Sequence, residues 1–341
     1  LSEWGWTPFF QLQLSLDEWS EVIPARIIEQ QKSVLTVITK DGSRSVAVTP
    51  KMPQLVVGDW ILLNQEIQFI RLLERRNCFQ RKAAGAESKS QLLSANIDVA
   101  FIVSSLNDDF NLNRIERYLS FVSESEAEPV LVLTKGDLVT DPLVWEDKVQ
   151  ELTRQLPAII VNALDFDSSS KMFEWLKFGQ TSVLLGSSGV GKSTLLNTLA
   201  KQHIQATSSI RENDSKGRHT TTSRYLISAS NGGLILDTPG MRELQLTECE
   251  NGIEKVFSDI KSFAEGCRFS DCQHRGEPSC RVKEAIDSGE LSERKLANYL
   301  KLKDEEARNS ETMAERRAAD KSLGKYYKHS LKESKKLRGI N

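Results

Sequence analysis

The sequence predicts a multidomain chain with three folded parts in series: a small β-barrel, a parallel α/β sheet covered by helices, and a short α-helical module built around a metal. Three observations predict this order. Residues 22–72 hold five short β-branched runs, and from Val99 onward apolar strands alternate with helical stretches around a glycine-rich loop. Near the C-terminal end, three cysteines and a histidine fall within fourteen residues. At 341 residues the chain exceeds what one hydrophobic core usually serves, so two or three domains are expected. Hydrophobic residues at 39% and charged residues at 27%, with a net charge of −2, exclude a disordered or fibrous chain. No apolar run approaches the ~18 residues that a membrane span needs.

The N-terminal stretch Leu1–Ser20 carries acids and no basic flank, so it does not read as a secretory leader, and a cytoplasmic location is expected. The runs Val22–Glu29, Ser33–Thr39, Arg44–Thr49, Asp59–Asn64 and Ile67–Leu72 follow, with Lys40-Asp41-Gly42-Ser43 as a turn signal. Five short strands in about fifty residues suggest an OB-fold barrel, which often grips nucleic acid. A β adaptor without RNA contacts is the alternative. The expected boundaries are 1–75 for the barrel with its extension and 76–95 for a basic, Ala/Gly/Ser-rich linker. The α/β domain is expected over 96–247, the metal module over 248–310 and a basic tail over 311–341.

In the α/β part, Val99–Ser104, Pro129–Leu133, Ala158–Val161, Thr181–Leu185 and Leu234–Leu236 read as buried parallel strands. Asn113–Glu124, Leu143–Leu156 and Lys192–Lys201 read as helices between them. The stretch Gly186-Ser187-Ser188-Gly189-Val190-Gly191-Lys192-Ser193-Thr194 carries a GxxxxGKS phosphate loop, placed between a strand and a helix as the motif requires. Its backbone N–H groups can cradle phosphates, Lys192 can reach the outer ones, and the Ser193 hydroxyl can bind magnesium. Asp237-Thr238-Pro239-Gly240 follows a strand 51 positions after Gly186. There Asp237 can hold magnesium through water and Gly240 can sense the terminal phosphate, although such a tetrapeptide alone is more often a plain turn.

Thr134-Lys135-Gly136-Asp137, at the end of a strand, matches the Asn/Thr-Lys-x-Asp pattern that reads guanine. An ionised Asp137 accepts from guanine N1–H and the exocyclic amine, whereas adenine offers an acceptor and no amine there. A nucleoside triphosphate of guanine, GTP, is therefore the expected ligand. Asn162-Ala163 resembles the Ser-Ala motif whose backbone N–H meets the guanine O6. A P-loop ATPase or small-molecule kinase is disfavoured by Asp137. In an ordinary GTPase the phosphate loop comes first; here Asp137 precedes Gly186 by 49 residues. That order predicts a circularly permuted P-loop GTPase domain, with its switch segment joined directly to the C-terminal module.

These motifs, together with the run Gly217-Arg218-His219-Thr220-Thr221-Thr222, resemble the RsgA (YjeQ) family of small-ribosomal-subunit biogenesis GTPases. The resemblance implies a first switch loop in that run, where one threonine, taken as Thr221, completes the magnesium site. Ras-type enzymes orient water with a glutamine after Asp-x-x-Gly. Met241 stands there and cannot, so the resemblance makes His219 the catalytic candidate. Thr134 stands where the family usually has Asn. Its shorter hydroxyl is expected to lose part of the contact with guanine N7 and the phosphate loop, keeping guanine preference at weaker affinity.

Cys267, Cys272, His274 and Cys280 offer three thiolates and an imidazole, a closed structural zinc set that should hold a helical module whose own core is too small. From Ala314 to Asn341 nine Lys/Arg face three acids, a surplus of six positive charges. With the barrel and Arg268, Arg275 and Arg281 around the cysteines, this suggests ribosomal RNA contacts. The resemblance implies a monomeric GTP hydrolase that binds the small ribosomal subunit and its rRNA and meets other assembly factors, with one zinc and with magnesium bound beside GTP. Its turnover would be stimulated by the ribosome. An RNA-binding assembly checkpoint, with GTP mainly a conformational ligand, is the second reading.

Overall fold

In the computed structural model, residues 1–82, 90–107, 109–141, 143–152, 156–201, 224–237 and 249–310 are described. Two short helices, α1 (Pro8–Gln11) and α2 (Glu18–Glu21), precede the barrel. They lie where no element was expected. Phe10 is buried with Trp60, Leu62 and Leu73, and Trp6 meets Trp60 edge-on at 4.8 Å. Each such buried ring stabilises the closure by about 1.5–3 kcal/mol.

The barrel strands are β1 (Ile23–Gln30), β2 (Val34–Thr39), β3 (Gly42–Ala47), β4 (Trp60–Leu63) and β5 (Phe69–Leu72). β1 pairs antiparallel with β2, β2 with β3, β1 with β4, and β4 with β5. The Lys40-Asp41 turn joins β2 to β3, with Thr39 opposite Gly42. β6 (Cys78–Lys82) and β7 (Ser90–Ala95) then pair into an antiparallel ribbon. The 76–95 stretch was expected to be an exposed linker, but it buries Phe79 and Leu93 in the core. Phe79, Leu93 and Ala95 supply buried apolar surface that docks a ribbon made largely of polar residues.

The rest comprises β8 (Val99–Ser105), α3 (Leu112–Glu124), β9 (Glu128–Thr134), α4 (Leu143–Gln150), β10 (Ala158–Ile160), α5 (Phe166–Ser169), β11 (Thr181–Leu185), α6 (Lys192–Ala200), β12 (Arg224–Ser228) and β13 (Leu234–Asp237). The C-terminal helices are α7 (Glu250–Val256), α8 (Ser258–Ala264), α9 (Arg281–Asp287) and α10 (Glu293–Ser310). The strand order β10-β9-β8-β11-β13 is parallel throughout. Alternate residues cover its two faces: Val99, Phe101 and Val103 enter one core, Ala100 and Ile102 the other.

β12 is antiparallel to β13 and pairs at its other edge with β1, through Glu29 opposite Tyr225 and Gln30 opposite Arg224. One eleven-stranded sheet therefore runs from the α/β domain into the barrel. The two parts are joined by backbone hydrogen bonds as well as by a connection. The C-terminal helices share the larger core: Ile253, Phe257, Ile260, Val282 and Leu296 continue the cluster that holds Ile115 and Phe121 of α3. A Cβ on Gly252 would meet the Ser120 carbonyl at 2.0 Å, so α7 and α3 touch backbone to backbone. Among the described residues, no helix is long and apolar enough to cross a membrane.

Candidate nucleotide and metal sites

The nucleotide motifs meet at the carboxyl ends of the parallel strands, where ligands of open α/β sheets bind. The phosphate loop follows β11, Thr134-Lys135-Gly136-Asp137 closes β9, Asn162-Ala163 follows β10, and Asp237 ends β13. Because these strands pair in parallel, their carboxyl ends lie on one edge, so motifs in reversed chain order arrive there together.

In the phosphate loop, Gly186, Gly189 and Gly191 take φ of +151°, +81° and +97°. These are conformations that glycine reaches without strain, and they leave Gly191 as the cap of α6. The Lys192 ammonium donates to the loop's own carbonyls, at 2.8 Å to Gly186 and 2.5 Å to Ser187. Ser188, Ser193 and Thr194 border the same turn, and Val190 is buried beneath it.

Thr134 is fully buried and its hydroxyl donates to the Val190 carbonyl at 2.6 Å. The link from the base-reading motif to the phosphate loop, expected to be weakened by the short side chain, is thus made. The β9 end lies close enough for a hydroxyl to span it; methyl and hydroxyl fill the site, with Gly191 and Ala163 beside it. Lys135 takes φ +61°, which turns the chain so that Asp137 stands exposed at the rim. The Thr198 hydroxyl of α6 donates to the Ala163 carbonyl at 2.7 Å, and the Asn162 N–H reaches Ser168 at 2.9 Å. The Asn162 side chain accepts from the Leu164 N–H, capping its own turn.

Two residues that sequence reasoning missed join the loop from behind. Ser187 Oγ donates to Asp109 at 2.7 Å and accepts from Arg114 at 2.9 Å, while Arg114 also pairs with Asp109 at 2.6 Å. Burial works against ionised Asp109, but hydrogen bonds from Arg114 and Ser187, with the charges of Arg114 and Lys135, hold its carboxyl below the usual range. In sequence these residues look like an ordinary helix start, with Asn111 capping α3. Only the fold brings Ser187 to them. His219, Thr221, Gly240 and Met241 lie outside the described residues.

The second site is the knuckle between α8 and α9. The ligand atoms of Cys267, Cys272, His274 and Cys280 all lie within 4.8 Å of one another, with His274 Nδ1 at 3.4 Å from Cys280 Sγ. Burial and the crowding sulfurs of Cys280 and Cys267 push the Cys272 thiol up to about 11. Three thiolates at this range repel one another without a cation, so the donor set fits a metal with no open position. Sequence reasoning also missed Glu277, whose carboxylate accepts from the N–H groups of Gln273, Arg275 and Gly276. These bonds shape the turn that carries His274 to the cluster. Of the flanking cations, Arg275 pairs with Asp304, Arg281 pairs with Glu284, and Arg268 lies over Phe269.

Comparison with known proteins gives the chain its relatives. Residues 72–247 match the family model described as RsgA GTPase. A protein of Vibrio parahaemolyticus named small ribosomal subunit biogenesis GTPase RsgA 2 is 48% identical, over 98% of this chain and 94% of its own length. The crystal structure of YjeQ from Thermotoga maritima superposes with a TM-score of 0.61 at 26% identity, covering 82% of this chain and 97% of that one. YloQ, described as a circularly permuted GTPase, gives a TM-score of 0.59 at 23% identity, over 83% of this chain and 94% of its own.

Proposed function

Because the chain belongs to the RsgA GTPase family, we propose that it acts in late assembly of the small ribosomal subunit, hydrolysing GTP with a turnover that the subunit stimulates. The chain is a GTP hydrolase on a circularly permuted P-loop fold. The observation that carries the reading is the convergence of the phosphate loop and Asp137 on one sheet edge from reversed positions in the chain.

In this proposal the Lys192 ammonium leaves the Gly186 and Ser187 carbonyls for the outer phosphates, which offer it full negative charge. The N–H groups from Ser188 to Thr194 surround the phosphates. Asp137 accepts from guanine, the Ala163 N–H meets its O6, and Thr134 keeps the two halves in register. Ser193 would supply a hard oxygen for magnesium, Asp237 would hold it through water, and Thr221 would complete the set. Met241 cannot orient water, which leaves that role to His219. The donor set Cys267, Cys272, His274 and Cys280 suits one structural zinc.

The OB-fold barrel, the knuckle and the basic tail are proposed to contact rRNA and to place the chain with other assembly factors on the subunit, as a monomer in the cytoplasm. The test is GTP turnover against small-subunit concentration at two salt levels. Stimulation that weakens steeply with salt supports phosphate-mediated docking. Absent stimulation in single-turnover reactions would favour a checkpoint that uses GTP as a conformational ligand.

A further inference from the structure

One helix touches the phosphate loop at its start and the C-terminal module on its next turn. At the start of α3, Asp109 and Arg114 hold Ser187 of the loop in a closed set of three hydrogen bonds. Less than one turn later, Glu116 is fully buried and takes Arg294 of α10 through both guanidinium ends, each at 2.9 Å. Asn298 donates to the same carboxylate, and Arg294 also reaches the Asn113 side chain at 2.6 Å. Arg117 pairs with Glu305, about three turns beyond Arg294 along α10. At its other end α3 receives α7: Glu124 accepts from the Gly252 N–H at 2.7 Å.

We propose that α3 is the positioning element that couples the phosphate loop to α10, with Asp109 and Arg114 reading Ser187 and with Glu116 and Arg117 passing the position on to Arg294 and Glu305. The inference rests on the GTPase reading and adds a route that does not need the switch segment 238–248. The physical basis is stiffness. A helix of thirteen residues with both ends tied moves as a rod. Bidentate guanidinium–carboxylate pairs fix direction as well as distance. Nucleotide binding draws Lys192 away from the Ser187 carbonyl, so the loop residue that Arg114 grips is also the one that feels the phosphates. Linkage makes the effect reciprocal: a partner seated on α10 must alter nucleotide affinity by the same factor.

The experiment uses the full chain saturated with GDP or with a non-hydrolysable GTP analogue, and reads amide hydrogen exchange in residues 293–305. Basal hydrolysis is read separately, and its absence would strike the GTPase reading while leaving the exchange comparison interpretable. In the native chain the two nucleotides should give exchange rates in 293–305 that differ by about fivefold or more, the lower end of ordinary coupling. Arg114→Ala should abolish that difference. Arg114→Lys, which can still pair with Asp109, should restore part of it; a merely structural role predicts no such rescue. Arg117→Ala should abolish the difference from the other end. No nucleotide-dependent difference in the native chain, or one that persists in both alanine variants, overturns the proposal.

Discussion

The nucleotide site and the metal knuckle solve opposite problems. The first gathers residues from positions 109 to 237 onto one sheet edge, and no two of its motifs are neighbours in the chain. The second takes all four ligands from fourteen consecutive residues between two seven-residue helices. A dispersed site depends on its scaffold, here a parallel sheet with both faces covered and α3 tied to α10. A local site depends on its ligand, because the knuckle itself contributes few apolar side chains. The C-terminal helices share a core with α3, so a metal held at the knuckle would have to order only residues 267–280 and not the whole helical module.

The largest effect should come from breaking the scaffold. Glu116→Ala strands the Arg294 guanidinium beside a buried hole and should cost about 3–5 kcal/mol of global stability, read by urea unfolding. A loss under about 1 kcal/mol would mean that α3 and α10 hold together by apolar contacts alone. Next, Thr134→Val leaves the buried Val190 carbonyl without its donor, and should weaken guanine nucleotide binding by about 1–3 kcal/mol, roughly fivefold to a hundredfold. Unchanged affinity in a titration with fluorescent GDP would show that the two halves keep register without the hydroxyl.

Removing the metal should act locally. A chelator should expose Arg268, Arg275 and Arg281 to trypsin, leave α10 helical by circular dichroism, and leave nucleotide binding within about twofold of its starting value. If nucleotide binding fell with the metal, the two sites would not be separable in the way their construction implies. The smallest effect concerns Glu18, which Arg71 and the Ser15 N–H hold at about 2 against an ordinary 4.5. A depressed acid stabilises above about pH 4.5 and loses that contribution as pH falls toward about 2. Glu18→Gln should therefore leave stability at pH 3 closer to that at pH 7 than the native chain does, in thermal melts at both pH values. An equal pH dependence in both chains would remove the pair from the acid response.

Much of the fold could be read from residue patterns because each element carries its own period. β11 spans the expected Thr181–Leu185, and its buried run was bounded by a glycine turn. β12 was missed: Arg224–Ser228 is short, with one buried side chain, and only its pairing between β13 and β1 makes it a strand. The ribbon of Cys78–Lys82 and Ser90–Ala95 was hidden by its basic and small residues, because its few apolar side chains show no period. In the sites, the phosphate loop and the knuckle announce themselves by spacing. Asp109, Arg114 and Glu277 do not, since a charged residue at a helix start or in a turn looks the same wherever it points.

The central claim is that Asp137 and the phosphate loop serve one guanine nucleotide, and a base-swap titration tests it most directly. Binding of GTP, ATP and xanthosine triphosphate would be compared in the native chain and in Asp137→Asn, whose amide suits xanthine in place of guanine. The native chain should prefer GTP over both competitors by about a hundredfold or more, and the variant should prefer the xanthine nucleotide. Equal affinity of the native chain for ATP and GTP, or a variant whose preference is unchanged, would contradict it.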